Sequence, residues 1–214
     1  MSGNSNVPSS TYDIAKALMQ SLRVVDPLTF YHCCRVGEYS RLLARDAGLD
    51  PYLQKVAEFS GLFHDVGKIG VPQSVIHKPA KLDLEEIAMM KKHPEMSEQI
   101  VHAVADNPFF KDLLDPIRGH HERLDGRGYP DGLSGDQIPL VSRVILIVDT
   151  YDAMTQNRSY RQGLPVEAVY AELQKFAGTQ FDEQLVKIFL QAQPLWGRPE
   201  ADPETNDKIF KQIA

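Results

Sequence analysis

Apolar residues along the first third of the chain recur with a helical period that two Asp-Pro pairs interrupt. Ile14, Ala17, Leu18, Leu22 and Val25 share one face and predict a helix over 12–25. Asp26-Pro27 and Asp50-Pro51 each place a capping carboxylate before a proline suited to a first helical turn. Helices are therefore predicted from 27 to 47, ending near Gly48, and from 51 onward, with Gly67 placed to stop the latter. The second helix gathers His32, Val36, Tyr39 and Leu43 on one face. The third gathers Leu53, Val56, Ala57, Ser60, Gly61 and His64, and its small residues leave room for another helix to approach. Asp83 with Glu86 three positions on forms a capping-box pattern for a helix to about Lys92. His93-Pro94 opens another to about Ala105, and Leu113–His121 is a shorter candidate. The run Val144–Val148 could be a buried strand, but its flanks make Leu140–Thr155 too long for one, so it is read as a buried helix. Helices at 165–177 and 182–192 complete the series. Residues 69–82 and 122–139 are predicted loops, the second rich in glycine yet aromatic and charged enough to be ordered and functional. Hairpin signals and internal repeats are missing. The fold class is all-α.

Length adds the domain plan. The 214 residues suit one domain, 12–193, between a disordered leader, 1–11, and a C-terminal tail, 194–214. A net charge of -6 argues against a broad surface for DNA, RNA or anionic lipid, so an anionic substrate needs local cations or metal. Cys33 and Cys34 are adjacent, which suits two buried small apolar residues in a reducing compartment better than a disulfide. Neither a signal-peptide core nor a span of ~20 apolar residues is present, so the segment is expected to be cytoplasmic and without membrane contact.

Candidate chemistry comes from histidine. A single histidine on an apolar face is ordinarily a hydrogen-bonded core residue. Of the seven here, His32 and His64 lie on predicted buried faces, His93 at a helix start, and His120-His121 at a helix end against the glycine-rich loop. Asp65 and Asp149 accompany them on apolar helices, where a carboxylate must be paired or bind metal. Histidine and aspartate without thiolate suit Mn, Fe, Zn or similar ions. Asp65 could give one oxygen to each of two metals that share a hydroxide, and Lys68 could stabilise charge on a phosphoryl oxygen. The residues alone thus point to metal-assisted hydrolysis of a phosphate ester. His77 and His102 read as loop and surface histidines, Lys91-Lys92 as a solvated helix end, and Asp125 with Arg127 as a structural ion pair.

Two motifs then carry a resemblance: His64-Asp65-Val66-Gly67-Lys68-Ile69-Gly70-Val71-Pro72, and His120-His121-Glu122-Arg123-Leu124-Asp125-Gly126-Arg127-Gly128-Tyr129-Pro130. With Lys78–Leu82, Ile138-Pro139, Asp149–Met154, Arg158–Arg161 and Gly178–Asp182, they resemble the HD-GYP subgroup of the HD-domain phosphohydrolases over residues 28–192. The resemblance implies an HD-domain helical bundle with a long glycine-rich GYP loop, hydrolysing cyclic di-GMP to pGpG, GMP or both; the mixed cyclic GMP-AMP dinucleotide is an alternative substrate. It implies that His32, His64, Asp65 and Asp149 hold one divalent metal, iron or manganese, and that Asp65 bridges to a second held by His93, His120 and His121. It further implies that Lys68 contacts the scissile phosphate, Arg158 and Arg161 contact ligand phosphate or guanine, and Asp152 supports a ligand or touches substrate. Tyr129 and its loop would wall the pocket or dock a diguanylate cyclase (GGDEF) partner. Some relatives carry a glutamate where this chain has Leu28, so a third metal is not expected. The same fold also leaves open a di-iron oxygenase, a mononucleotide phosphohydrolase or a non-catalytic cyclic di-GMP sensor.

Overall fold

Helix α1 runs Ser9–Val25, so the end of the expected leader belongs to its first turn. Thr11 is buried there, and Asn107 donates to its hydroxyl at 3.1 Å. The computed structural model describes residues 9–157 and 162–196. Both Asp-Pro signals act as starts. Asp26 accepts the N–H groups of Leu28 and Thr29 at the head of α2, Pro27–Asp46. Asp50 accepts those of Tyr52 and Leu53 at the head of α3, Pro51–Phe63. Caps of this kind contribute ~1 kcal/mol each.

Helices α2 and α3 touch backbone to backbone. A Cβ built on Gly61 would lie 3.0 Å from the Cα of Gly37 and 3.0 Å from the carbonyl oxygen of Val36. The predicted small-residue approach is therefore present, and its partner is Gly37. The crossing brings the His32 and His64 rings to 5.2 Å between centroids.

The third helix stops earlier than Gly67 predicts. It ends at Phe63, His64 caps it, and Val66–Gly70 winds as a tighter 3-10 turn. Gly67 is needed for space and not as a left-handed cap. A Cβ on it would fall 2.3 Å from the His93 carbonyl oxygen and 2.4 Å from the Ser97 nitrogen. Its own N–H donates to Ser97 Oγ at 2.8 Å, which fixes the Asp65 turn against the segment carrying His93.

A short helix, α4 (Gln73–Ile76), interrupts the predicted loop. Helix α5, Leu84–Met90, carries the expected reciprocal capping box between Asp83 and Glu86. Helix α6 is His93–His102, and α7, Pro108–Lys111, is a turn that the periodicity did not predict. Helix α8 is Leu114–Arg118, shorter than expected, and leaves His120 and His121 just beyond its end. Helix α9, Leu140–Thr155, has the predicted bounds, and Val144 through Val148 are all buried, which accounts for the unbroken apolar run. Helices α10, Val166–Lys175, and α11, Glu183–Trp196, follow. The last turn of α11 takes in the start of the expected tail, and Trp196 Nε1 donates to Asp46 at 2.7 Å.

The core lies between α2, α3 and α9, filled by Phe30, Phe59, Phe63 and Phe110. Truncating one such ring to alanine costs about 3–5 kcal/mol. Among the described residues no strand forms, only an isolated bridge between Ala177 and Phe181. No described helix is long and apolar enough to cross a membrane.

The 122–139 loop is ordered by its own polar groups. Glu122 is buried, and its Oε1 accepts the N–H groups of Asp131 at 2.7 Å and Gly132 at 3.0 Å. Arg118 binds the Asp131 carboxylate through two nitrogens, at 2.7 and 2.8 Å. Asp125 pairs with Arg123 rather than with the Arg127 side chain, and from Arg127 it accepts only the backbone N–H, at 3.1 Å.

Candidate metal centre

Three of the seven expected ligands owe their orientation to helix ends. The last carbonyls of an α-helix lack intrahelical partners, so a ring N–H three residues on can donate to one. His64 Nδ1 lies 2.7 Å from the Gly61 oxygen, His93 Nδ1 2.7 Å from the Met90 oxygen, and His120 Nδ1 2.6 Å from the Ile117 oxygen. A carbonyl only accepts, so the proton sits on Nδ1 and each Nε2 presents a lone pair to the interior. His32 is held differently. Its Nδ1 lies 2.7 Å from Asp152 Oδ2, and its Nε2 lies 3.1 Å from Asp149 Oδ1.

All seven residues converge, as two sets of ligand atoms. His32, His64 and Asp149 form one and His93, His120 and His121 the other, each with its atoms within 4.8 Å of one another. Asp65 lies between them. Its Oδ2 is 3.4 Å from His64 Nε2 and 3.6 Å from His32 Nε2, and its Oδ1 is 3.1 Å from His93 Nε2. A third set, Cys33 with His64 and Asp65, shares two of these residues.

The donor chemistry fits metal. His64 Nε2 and Asp65 Oδ1 are buried without a hydrogen-bond partner, a costly state that an ion relieves. His93 Nε2 and His120 Nε2 face each other at 3.1 Å while both Nδ1 protons are donated elsewhere, so two lone pairs oppose each other without a proton between them. Burial holds His120 well below the usual histidine pKa and, with His93 nearby, takes His121 down to about 3. Burial thus opposes a positive charge on His120 and His121, and a cation can supply it.

The carboxylate side is charged already. Burial pulls the His32 pKa down, but hydrogen bonds to Asp149 and Asp152 outweigh it and raise the group to about 9. Burial raises the Asp65 pKa, and its neighbours, the Lys68 ammonium first and then the His64 and His93 rings, more than reverse this, leaving it well below the carboxylate range. Lys68 Nζ rests 2.5 Å from Asp65 Oδ2, within reach of the same centre.

Asp152 is buried, with Oδ1 2.6 Å from Arg35 Nε and Oδ2 2.9 Å from Arg35 Nη2 besides His32. Tyr129 stacks on His121 with centroids 4.7 Å apart and planes 25° apart, and Lys91 Nζ lies 5.3 Å over the Tyr129 ring. Lys91 thus caps α5 and also covers the loop tyrosine, beyond the solvated helix end expected of it. His77 and His102 are exposed, as expected. Arg158 and Arg161 lie outside the described residues. The sequence assigned no role to Arg35 or Glu122, although Arg35 stands one helical turn after His32 and Glu122 follows His121 directly.

The fold and the paired ligand sets define a helical scaffold around a candidate histidine-aspartate metal centre, and the comparisons with known proteins give its family. The HD domain family profile matches residues 16–185, and the chain belongs to that family. It is 35% identical over 157 residues to the cyclic di-GMP phosphodiesterase response regulator RpfG of Xanthomonas campestris, covering 73% of this chain and 41% of that protein. It is 36% identical over 176 residues to 3'3'-cGAMP-specific phosphodiesterase 1 of Vibrio cholerae, covering 77% of this chain and 40% of that protein. The chain thus spans about two-fifths of the length of these curated relatives. Its fold matches Bd1817, a HDG"Y"P protein of Bdellovibrio bacteriovorus, with a TM-score of 0.64 at 20% identity over 90% of this chain and 65% of that one. The HD-GYP grouping read from the two motifs is borne out.

Proposed function

We propose that this domain is a metal-dependent phosphodiesterase that hydrolyses a cyclic dinucleotide, cyclic di-GMP or 3'3'-cGAMP, to the linear dinucleotide, to mononucleotides, or to both. The observation that carries the reading is Asp65, with Oδ2 turned to the His32, His64 and Asp149 set and Oδ1 to the set of His93, where the Nε2 lone pairs of His93 and His120 oppose each other. His32, His64 and Asp149 would hold one ion and His93, His120 and His121 the other, with Asp65 joining them. Mn or Fe suits this nitrogen and oxygen donor set. When bound, such ions polarise a phosphoryl oxygen and lower the pKa of water.

The chain supplies the rest. Carbonyls in last helical turns fix the tautomers of His64, His93 and His120, so their orientation is set before substrate arrives. Asp152 does the same for His32. With both its oxygens engaged by His32 and Arg35, it acts as a positioning residue and not as a substrate contact. Lys68, held beside the centre by Asp65, would neutralise charge on the scissile phosphate. Tyr129, stacked on His121, offers an aromatic wall for a nucleobase, and its loop is the surface on which a GGDEF partner would dock. Arg158 and Arg161 remain proposed ligand contacts.

The test is anaerobic incubation of Mn(II)- or Fe(II)-loaded protein with each cyclic dinucleotide, products being separated by chromatography. Linear dinucleotide or mononucleotide is the expected outcome. Tight binding of both substrates without turnover would replace the enzyme with a sensor.

A further inference from the structure

Cys33 lies beside two of the candidate metal ligands, His64 and Asp65. It follows His32 on α2, is fully buried and free, and its sulfur completes a third set with His64 and Asp65 whose ligand atoms all fall within 4.8 Å. A buried cysteine is by itself no site. Here the set includes His64, whose Nε2 is buried without a hydrogen-bond partner, and Asp65, whose Oδ1 is in the same state. Both are the kind of group that an ion satisfies.

We propose that Cys33, His64 and Asp65 form an alternative site for thiophilic divalent cations, zinc or cadmium in class, that excludes the ion held by His32, His64 and Asp149. The inference shares His64 and Asp65 with the function proposed above and does not depend on the substrate. Exclusion follows from His64. Its Nδ1 is committed to the Gly61 carbonyl, so it has one lone pair, at Nε2, and can ligate one ion at a time. Both sets need that atom.

Ligand softness decides which set an ion takes. Mn(II) and Fe(II) are served by the nitrogen and oxygen atoms of the Asp149 set, whereas a soft ion gains most from sulfur. Binding at the sulfur set converts the Cys33 thiol to a metal-bound thiolate, and its proton leaves to solvent as the metal–sulfur bond forms, with no change of oxidation state. A soft ion therefore withdraws His64, together with an oxygen of Asp65, from the working arrangement.

Cadmium alone is the probe, added to chelator-stripped full chain without oxygen and followed by ultraviolet absorption. Wild type is expected to develop a sulfur-to-cadmium charge-transfer band that saturates at one ion per chain. Cys33→Ser should lose the band, and Cys34→Ser, altered one position along the same helix, should keep it. Circular dichroism of each variant establishes that it is folded, and Cys33→Ala repeats the measurement where the serine variant is not. Cadmium bound to wild type without the band, no cadmium bound at all, or a band that survives both changes at Cys33 overturns the proposal. None of these outcomes depends on cyclic dinucleotide turnover, so failure here leaves the phosphodiesterase reading to its own test.

Discussion

The two halves of the metal centre contain histidine in different electrostatic states. Around His32 the charges are internally balanced: the ring lies between Asp149 and Asp152, Arg35 holds Asp152, and Lys68 rests on Asp65. Around His93, His120 and His121 there are three imidazoles, with Asp65 Oδ1 3.1 Å from His93 and the Asp149 charge acting on His121. The first half can persist without metal because its proton and its cations stand in for an ion. In the second, burial opposes protonation of His120 and His121. Asp65 faces both states, with Oδ2 toward His64 and Oδ1 toward His93.

Removing that shared residue should have the largest effect. Asp65→Ala is expected to abolish turnover and to lose metal from both halves, as read by elemental analysis; full metal content in the variant would remove its bridging role. Lys68→Ala should leave metal content intact and lower kcat by about 10²–10³-fold. Unchanged kcat would return Lys68 to a mere counter-ion of Asp65. Asp152→Asn should separate the halves, weakening metal affinity by about 10–100-fold on the His32 side only. An equal loss on both sides in a metal titration would contradict the separate support drawn for each.

Acid and base should also act on different halves of the metal-free chain. His121 falls from the ordinary ~6.5 to about 3, so the unfolded chain binds its proton first, and stability drains away as pH falls from ~6.5 towards 3. His32 rises to about 9, so its contribution is complete below ~6.5 and is lost as pH climbs towards 9. Melting temperatures of chelator-treated protein should show His121→Gln flattening the acid limb and His32→Gln the alkaline limb. The reverse pattern would exchange the charge states assigned here. The smallest effect belongs to Tyr129→Ala, expected to raise KM by about 10-fold or less with kcat nearly kept.

Much of this arrangement was legible in the chain, and the remainder has physical reasons for having been hidden. Periodicity placed His32 and His64 on buried faces because those faces pack on one another through Gly37 and Gly61. It could not locate the end of α3, since a helical period continues without a break into the 3-10 turn that carries Asp65. Gly67 was visible as a punctuation mark, but its reason, contact with the His93 carbonyl, lies in another segment. The pair of Arg35 with Asp152 spans 117 positions, a distance that no local pattern encodes. Cys33 read as a small apolar residue, and it is one by burial; only the crossing of α2 against the end of α3 shows its sulfur facing His64 and Asp65. The motif resemblance supplied the division of ligands between two ions, which residue spacing alone left open.

Electron paramagnetic resonance of the anaerobically Mn(II)-loaded chain tests the bridging role of Asp65 most directly. The geometry, with one Asp65 oxygen turned to each set, predicts a spin-coupled pair of ions in wild type and loss of that coupling in Asp65→Ala. Isolated, uncoupled Mn(II) in the fully loaded wild type would contradict it.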